Sequence, residues 1–188
     1  DQPGDALIQK LQALAIDLQE EEDLTLFDVT QKVRQGFYAE KVTKKFYDRF
    51  KTEHEAFLRF IQGIPDDEFQ RWYASVMLNR LMFIYFIQKK GFLGGDQNYL
   101  RHKLQASQDL GPDRFYRDFL CPLFFEGFAK KPEDRDPAIN RLLGQVPYLN
   151  GGIFMRHQVE ELYGRTIRIP DAAFAKLFDF FDAYRWHL

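Results

Sequence analysis

Apolar side chains recur at intervals of three and four residues along most of the chain, which is the spacing of one face of an α-helix. The pattern predicts an amphipathic helix over residues 5–22, a short helix over 25–35 and a third helix over 42–62. The Gly-Ile-Pro segment at 63–65 ends the third helix, because glycine and proline both interrupt helical hydrogen bonding. Asp66 is then expected to cap the helix that follows.

Residues 67–90 form the strongest predicted helix, which is apolar on nearly all sides. Such a pattern is typical of a central, buried helix. It does not predict a membrane span, because the uninterrupted apolar run over 81–87 is far shorter than the roughly 20 residues that a bilayer needs. Asn79 and Arg80 interrupt the longer run, and Gly91 is the natural residue to end the helix.

The second half of the chain predicts short helices joined by turns. They are expected at 99–107, from Pro112 onward, at 138–144, at 156–163 and from Pro170-Asp171 onward. Pro122 does not fit the interior of a straight helix, so a kink or a break is expected there. A brief strand is expected at Thr166–Ile169. The predicted fold class is therefore all-α: an irregular multi-helix bundle with an aromatic-rich core and at most one very short strand pair.

The composition favours one globular domain with a helical extension over two full domains. The chain has 188 residues, of which 45% are hydrophobic and 29% charged, and this balance excludes a disordered protein. Its 20 Phe, 9 Tyr and 2 Trp residues are enough to build an aromatic core. The formal net charge of −2 excludes a polycation that binds nucleic acid by net charge alone.

The single cysteine, Cys121, excludes an internal disulfide framework and fits a reducing, cytoplasmic location. Its position beside Pro122 in an aromatic segment predicts a buried, inert thiol. The polar start of the chain predicts no signal peptide, and Asp1 in place of Met suggests an excised fragment.

No motif in the sequence predicts catalysis, cofactor binding or a metal site. The four histidines do not pair with one another or with Cys121 at a metal-ligand spacing, and no glycine-rich phosphate loop is present. Pro65-Asp66 and Gln88-Lys89-Lys90 imitate the PD…QxK pattern of metal-dependent nucleases. They lie at opposite ends of one predicted helix, about 30 Å apart at about 1.5 Å per residue, and therefore cannot share a metal.

Basic residues gather in two places and are candidates for contacts with the DNA backbone. The first group consists of Lys41, Lys44, Lys45, Arg49 and Lys51, and the second of Lys89, Lys90, Arg101, His102 and Lys103. Cationic side chains on such surfaces contact phosphates and add affinity that is independent of sequence and sensitive to salt. The alternative is that both groups are ordinary solvated helix faces.

Arg80 lies in the middle of the most apolar helix and must have a partner. An unpaired buried charge is costly, so a carboxylate or a carbonyl group is expected beside its guanidinium. A structural role is the favoured interpretation, and a contact with another domain or with DNA is the alternative. Asn79 is expected to form hydrogen bonds inside the bundle in the same way.

Four stretches of sequence together resemble one protein family. They are VTKKFYDRFKTEHEAFLRFIQGI, WYASVMLNRLMFIYFIQKKGFL, VPYLNGGIF and IRIPDAAFAKLFDFFDAYRWHL. In this order they resemble the helical segment that precedes the methyltransferase core of large bacterial adenine-specific DNA methyltransferases, including fused type IIG restriction–modification enzymes and phage-exclusion methyltransferases. The resemblance covers residues 41–188 and implies that they form a helical spacer domain. Residues 1–40 lie outside it, and their apolar spacing predicts an N-terminal amphipathic helical extension.

This resemblance implies a parent protein that transfers a methyl group from S-adenosylmethionine to the exocyclic amine of adenine in DNA, with or without a nuclease. Such enzymes flip the base into a pocket that contains an Asn/Asp-Pro-Pro-Tyr/Phe motif. The only Pro-Tyr pair here, Pro147-Tyr148, follows Val146, and no glycine-containing cofactor turn is present. The resemblance therefore implies no catalytic, cofactor-binding or metal-binding residue in this chain, and S-adenosylmethionine is expected in the parent only.

The implied role is a non-catalytic connector that holds an upstream module at a fixed distance from the adjacent methyltransferase domain, with DNA as a partner of the parent. The Asn150-Gly151-Gly152 turn is then expected to pack against the following domain. The alternative is a tight turn inside this domain, for which Asn-Gly-Gly readily supplies positive φ. A rival interpretation of the whole chain is a helical protein–protein interaction module with an aromatic groove, which predicts no DNA binding.

Overall fold

The computed structural model describes residues 44–149 and 151–184. Its α-helices are α1 Lys44–Leu58, α2 Asp67–Lys89, α3 Tyr99–Leu110, α4 Pro137–Leu143, α5 Gln158–Tyr163 and α6 Asp171–Asp182. Two π-helical runs, Phe115–Leu120 and Leu123–Phe128, lie between α3 and α4, and 3-10 turns cover Pro132–Asp134 and Gly152–Phe154. The helices predicted over 5–22 and 25–35 lie outside the described residues, and the division between residues 40 and 41 stays a prediction.

The chain divides into two compact units, and of the described residues 44–51 belong to the first and 52–184 to the second. In the first unit, the stacked rings of Phe46 and Phe50 lie on α1 with their centroids 6.1 Å apart. The second unit contains the helical core and the site discussed below.

The described residues confirm the all-α fold and its aromatic core. Helix α2 is largely buried, and its fully buried apolar residues are Tyr73, Ala74, Met77, Leu78, Leu81, Ile84 and Tyr85. The strand expected at Thr166–Ile169 does not form. Instead a single antiparallel bridge joins Gln62 to Arg168 through two backbone hydrogen bonds of 2.9 Å, and one residue pair is too short to make a strand.

The connection into α2 is built as the sequence predicts. Asp66 caps the helix, because its Oδ1 atom accepts a hydrogen bond from the backbone N–H of Phe69 at 2.8 Å. Gly63 has a φ of +86°, and a Cβ atom there would lie 2.1 Å from the carbonyl oxygen of Thr166. Only glycine fits this approach, which brings the start of α2 beside the segment that leads to α6.

At Pro122 the break that the sequence allowed does not form, and the helix is distorted instead. The chain stays helical from Phe115 to Phe128, but the turns on both sides of Pro122 are π-helical. The backbone N–H of Cys121 donates to the carbonyl of Tyr116, five residues earlier, instead of four. A wider turn accommodates a residue that lacks an N–H, so the distortion is spread along the helix and does not interrupt it.

Aromatic rings join this wide helix to α6. Phe115 lies 5.3 Å from Phe119, 5.2 Å from Phe174 and 6.1 Å from Phe178 between ring centroids, and all four rings are buried. Two aspartates fix the same junction. Asp171 accepts hydrogen bonds from the backbone N–H groups of Asp113 and Phe115, and Asp113 accepts one from the N–H of Asp171. Helix α6 therefore begins at Asp171, as predicted.

Candidate functional site

A buried ion pair joins α2 to the start of α5. Arg80 on α2 is only 1% exposed, and its guanidinium forms a two-point contact with Glu160, with Nη1–Oε1 at 2.6 Å and Nη2–Oε2 at 3.1 Å. The carboxylate partner expected for Arg80 is thereby confirmed. Such a pair offsets the cost of burying its two charges only because its geometry is bidentate and its remaining donors are also used.

The remaining donors of Arg80 hold the segment that precedes α5. Its Nε atom donates to the carbonyl of Ile153 at 2.6 Å, and Nη2 donates to the carbonyl of Met155 at 2.8 Å. The guanidinium also lies 5.0 Å from the ring centroid of Phe124 and 5.4 Å from that of Phe125. Arg80 therefore fixes the segment 153–155 against α2 through directional bonds and stacks against the wide helix.

Two tyrosines extend this polar network into the core. The Tyr73 hydroxyl lies 2.6 Å from that of Tyr116 and donates to Oε1 of Glu160 at 3.1 Å. Burial raises the pKa of both phenols well above the ordinary value, so both remain protonated donors at neutral pH. Cys121 lies nearby and is half-buried, whereas the sequence predicts a fully buried thiol. Burial raises the pKa of its thiol to about 11, which keeps it protonated at neutral pH.

Helix α5 starts with a capping box that uses the same glutamate. The Nδ1 atom of His157 accepts from the backbone N–H of Val159 at 3.3 Å, and Oε2 of Glu160 accepts from the N–H of His157 at 2.9 Å. Burial lowers the pKa of His157, which favours the neutral ring that this cap requires. The His-x-x-Glu spacing carries this signal in the sequence, but sequence reasoning missed both Glu160 and His157.

An apolar surface lies next to the ion pair. Trp72 and Phe83 are 39% and 37% exposed on α2, and Met155 is 67% exposed on the segment before α5. The Trp72 ring lies 5.1 Å from that of His157, and the Phe83 ring lies 5.9 Å from that of Phe154. Because residues 154 to 157 thus run alongside α2, these side chains form one surface, which we call the α2 face.

Asn79 lies on this face of α2. It is seven residues from Trp72 and four from Phe83, so the three side chains leave the helix in nearly the same direction. The Asn79 side chain is half-buried and makes no hydrogen bond to another described residue. The hydrogen bond that the sequence led us to expect inside the bundle is therefore absent among the described residues, because Asn79 points away from the core.

The glycine turn differs from the sequence prediction. Gly151 has an extended backbone with φ −145° and ψ 133°, and Gly152 begins the 3-10 turn, so neither adopts the positive φ expected of them. A Cβ atom on Gly151 would meet only the Ile153 side chain, at 4.0 Å, and one on Gly152 would meet nothing within 4 Å. The fold around these residues does not itself require glycine. Asn150 lies outside the described residues.

Most basic residues of the second group already have partners. Arg101 on α3 contacts Asp179 and Asp182 at 2.7 Å each, and Lys89 lies 3.5 Å from Asp182. Lys103 donates to the carbonyl of Leu142, and Lys90 is exposed at the end of α2. A DNA phosphate would compete with these internal bonds at Arg101, Lys89 and Lys103.

The first basic group is described only in part. Lys41 lies outside the described residues, Lys44 and Lys45 lie in the first turn of α1, and Arg49 and Lys51 are exposed further along that helix. Their contact with DNA stays a prediction. The sequence alone did not show that Arg101 is paired within the domain, because its partner aspartates on α6 lie about 80 residues away along the chain.

Neither a metal-binding cluster nor a membrane-spanning helix occurs in the described part of the chain. It contains no group of three or more His, Cys, Asp or Glu side chains placed to hold a metal ion. None of its helices combines the length and the apolar character needed to cross a membrane.

Comparison with known proteins gives one relative and one family. The relative is the "putative type II restriction enzyme and methyltransferase" of Methanocaldococcus jannaschii, which is 27% identical over 124 residues. That alignment covers 62% of this chain but only 10% of the relative, so the chain spans a small part of the relative's length. No solved structure matches the chain. Residues 75–178 match a family described as "Domain of unknown function (DUF7814)", and because this match covers more than half of the sequence, the chain belongs to that family.

Proposed function

We propose that the chain is a non-catalytic helical connector domain of a restriction–modification enzyme, whose parent chain methylates adenine in DNA with S-adenosylmethionine. The observation that carries this proposal is the match to a short part of a much longer relative, whose name combines a restriction enzyme with a methyltransferase. A cytoplasmic location, where DNA and the methyl donor are available, belongs to the same proposal.

The polar chemistry of the described residues supports a connector more than an active site. The most strongly buried charges, Arg80 and Glu160, are used in bonds to each other and to the backbone. Tyr73 and Tyr116 are protonated and buried behind them. Groups arranged in this way hold helices at fixed positions, which is what a rigid spacer between two modules needs.

The proposal is tested first on the protein encoded by the complete natural reading frame. We expect it to transfer labelled methyl groups from S-adenosylmethionine to the exocyclic amine of adenine in duplex DNA. The product is identified by mass spectrometry of the nucleosides. The 188-residue chain alone serves as the control and should transfer none. A natural protein that binds no S-adenosylmethionine and methylates no DNA would refute the connector assignment.

A second experiment tests contacts with the DNA backbone. We expect the chain to bind duplex DNA weakly, with an affinity that falls steeply as salt rises. The logarithm of the binding constant should fall with the logarithm of the salt concentration, with a slope of about −0.9 per phosphate contact. Replacing Lys44, Lys45, Arg49 and Lys51 by Gln should reduce that slope. The matched control replaces four other exposed basic residues by Gln and so removes the same charge; they are Lys131, Arg141, Arg165 and Lys176. Equal losses in both variants would show a general charge effect and no defined DNA surface.

The exposed α2 face gives specific support to a second candidate function, a helical protein–protein interaction module. Trp72, Phe83 and Met155 place apolar area on one surface, as an interaction module requires. Absence of DNA binding at low salt, together with a normal fold, would favour this candidate over the connector with DNA contacts.

A further inference from the structure

We infer that the α2 face, formed by Trp72, Asn79, Phe83 and Met155, is the surface on which an adjoining domain of the same longer polypeptide packs. The inference rests on the proposed function and adds to it the location of the interdomain contact and the residues that make it.

The apolar side chains of the α2 face are grouped. Single exposed apolar residues are normal on protein surfaces. Here Trp72 and Phe83 leave α2 in nearly the same direction, and Met155 lies on the segment whose His157 and Phe154 rings pack against them. Large aromatic and methionine side chains on one patch are typical of protein contact surfaces. Polar or charged residues would be expected at these positions if the surface faced only water.

The α2 face is held in place by contacts within this domain. The Trp72 ring lies against His157, the Phe83 ring lies against Phe154, and Arg80 binds the carbonyl of Met155 at 2.8 Å. Ordered side chains lose little conformational entropy on binding. The buried Arg80–Glu160 pair thus has a consequence at the surface, because it fixes the backbone that carries Met155.

The α2 face also offers hydrogen-bonding groups to a partner. The half-buried Asn79 amide has no hydrogen-bonded partner among the described residues, so it can donate to and accept from an approaching chain. Gly151 and Gly152 lie shortly before Phe154, whose ring packs against Phe83, and neither position requires glycine for its own conformation. A backbone without side chains permits close approach by a partner.

The size of the relative favours an adjoining domain as the occupant. This chain corresponds to only 10% of the relative's length, so most of such a protein lies outside the present domain. A domain linked through the same polypeptide is present at high effective concentration and needs only a modest surface to remain docked. A second copy of this chain has no such advantage and is an alternative outcome of the test.

Methionine oxidation provides the test, because the chain contains its own control. Met155 is exposed, whereas Met77 is fully buried on α2. The 188-residue chain and the protein from the complete reading frame are treated with dilute peroxide, and oxidation of each methionine is followed by peptide mass spectrometry. We expect Met155 to react about tenfold more slowly in the longer protein, which corresponds to about 1.4 kcal/mol in favour of the docked arrangement. Met77 should be slow in both proteins.

The outcomes separate this inference from the proposed function. Equal oxidation of Met155 in both proteins, or a natural reading frame that adds no domain, overturns the inference. If Met155 is protected in the 188-residue chain and this protection disappears on dilution, the occupant is a second copy of the chain. That result also overturns the inference. A longer protein that methylates adenine but leaves Met155 exposed retains the proposed function without this contact. Protection of Met155 without any methyl transfer supports the contact and refutes the proposed function.

A charged substitution checks the same contact in a different way. Met155→Glu should lower the thermal midpoint of the longer protein and leave that of the 188-residue chain unchanged. Leu110→Glu is the matched control, because Leu110 is 72% exposed at the end of α3 and lies outside the α2 face. An equal shift of the longer protein by both variants would contradict a specific role for Met155.

Discussion

At the scale of single residues, the Arg80–Glu160 pair is the most consequential contact in the second unit. Sequence reasoning predicted that Arg80 has a carboxylate or carbonyl partner, because a lone buried charge is too costly. It could not predict Glu160, since the two residues lie 80 positions apart and only the folded chain brings them together. The class of partner follows from local chemistry, whereas its identity depends on tertiary structure.

Removing both members of this pair should cost less than the two single removals added together. We expect Arg80→Met to destabilise the chain by about 3–5 kcal/mol, because Glu160 is left buried without its cation. The double variant Arg80→Met, Glu160→Met should lose clearly less than the sum of the two single variants. Urea unfolding of the four proteins completes the double-mutant cycle. Additive losses would mean that the ion pair contributes no coupling.

A second prediction at this scale concerns pH and His157. Burial lowers the pKa of His157 and of His54 in the folded chain, so the unfolded chain binds more protons around and below its histidine pKa of about 6.5. Stability is therefore greatest above that pH and is lost as the pH falls toward the folded pKa values. The groups that face His157 are Trp72, Arg80, Glu160 and Glu161.

The measurement is the free energy of unfolding between pH 7.5 and 5.5. His157→Asn retains a side chain that can cap α5 but cannot titrate, so the loss of stability toward acid should become smaller. His54, whose Nε2 atom lies 3.0 Å from the Ser75 hydroxyl and whose pKa is also lowered by burial, contributes to the remaining loss. A variant with the same pH dependence as the original chain would exclude His157 as a contributor.

At the scale of elements, the helices followed from hydrophobic spacing and their ends from capping chemistry. Asp66 caps α2 as expected through a local hydrogen bond, and α6 begins at Asp171 as expected, although Asp171 binds the distant backbone N–H groups of Asp113 and Phe115. The π-helical turns around Pro122 were not predictable, since they share their apolar spacing with an ordinary helix and depend on how the aromatic rings pack. The glycine turn was also predicted wrongly, because glycine permits positive φ without requiring it.

Gly63 offers a sharp test of the connection between α1 and α2. Both Gly63 and Gly95 have positive φ, at +86° and +78°, but only at Gly63 would a Cβ atom clash, 2.1 Å from the Thr166 carbonyl oxygen. We expect Gly95→Ala to cost about 1–2 kcal/mol from its backbone conformation alone. Gly63→Ala should cost about 1–3 kcal/mol more, because the backbone must also move away. Equal losses in chemical denaturation would show that the Thr166 contact is not tight.

At the scale of the whole molecule, the sequence predicted the all-α fold class, but it did not predict which surfaces of the domain are free for contacts. Helical spacing marks Trp72 and Phe83 as apolar positions, but spacing alone does not distinguish a core position from an exposed one. The sequence also did not reveal that Arg101 pairs with Asp179 and Asp182. The second basic group, which the sequence offered as a DNA contact, is therefore largely engaged in bonds within the domain. In both cases the deciding information is the position of a distant helix.

Gly151→Val separates an internal turn from an interdomain contact. In the 188-residue chain this change should alter the free energy of unfolding by less than about 0.5 kcal/mol, because the extended backbone suits a β-branched residue and the nearest side-chain atom is 4.0 Å away. In the longer protein, the same change should reduce methyl transfer, because the valine side chain would hold the adjoining domain away from the α2 face. Destabilisation of the 188-residue chain itself would instead assign the turn to this domain's own fold, and full stability with full activity in both proteins would remove Gly151 from the interface.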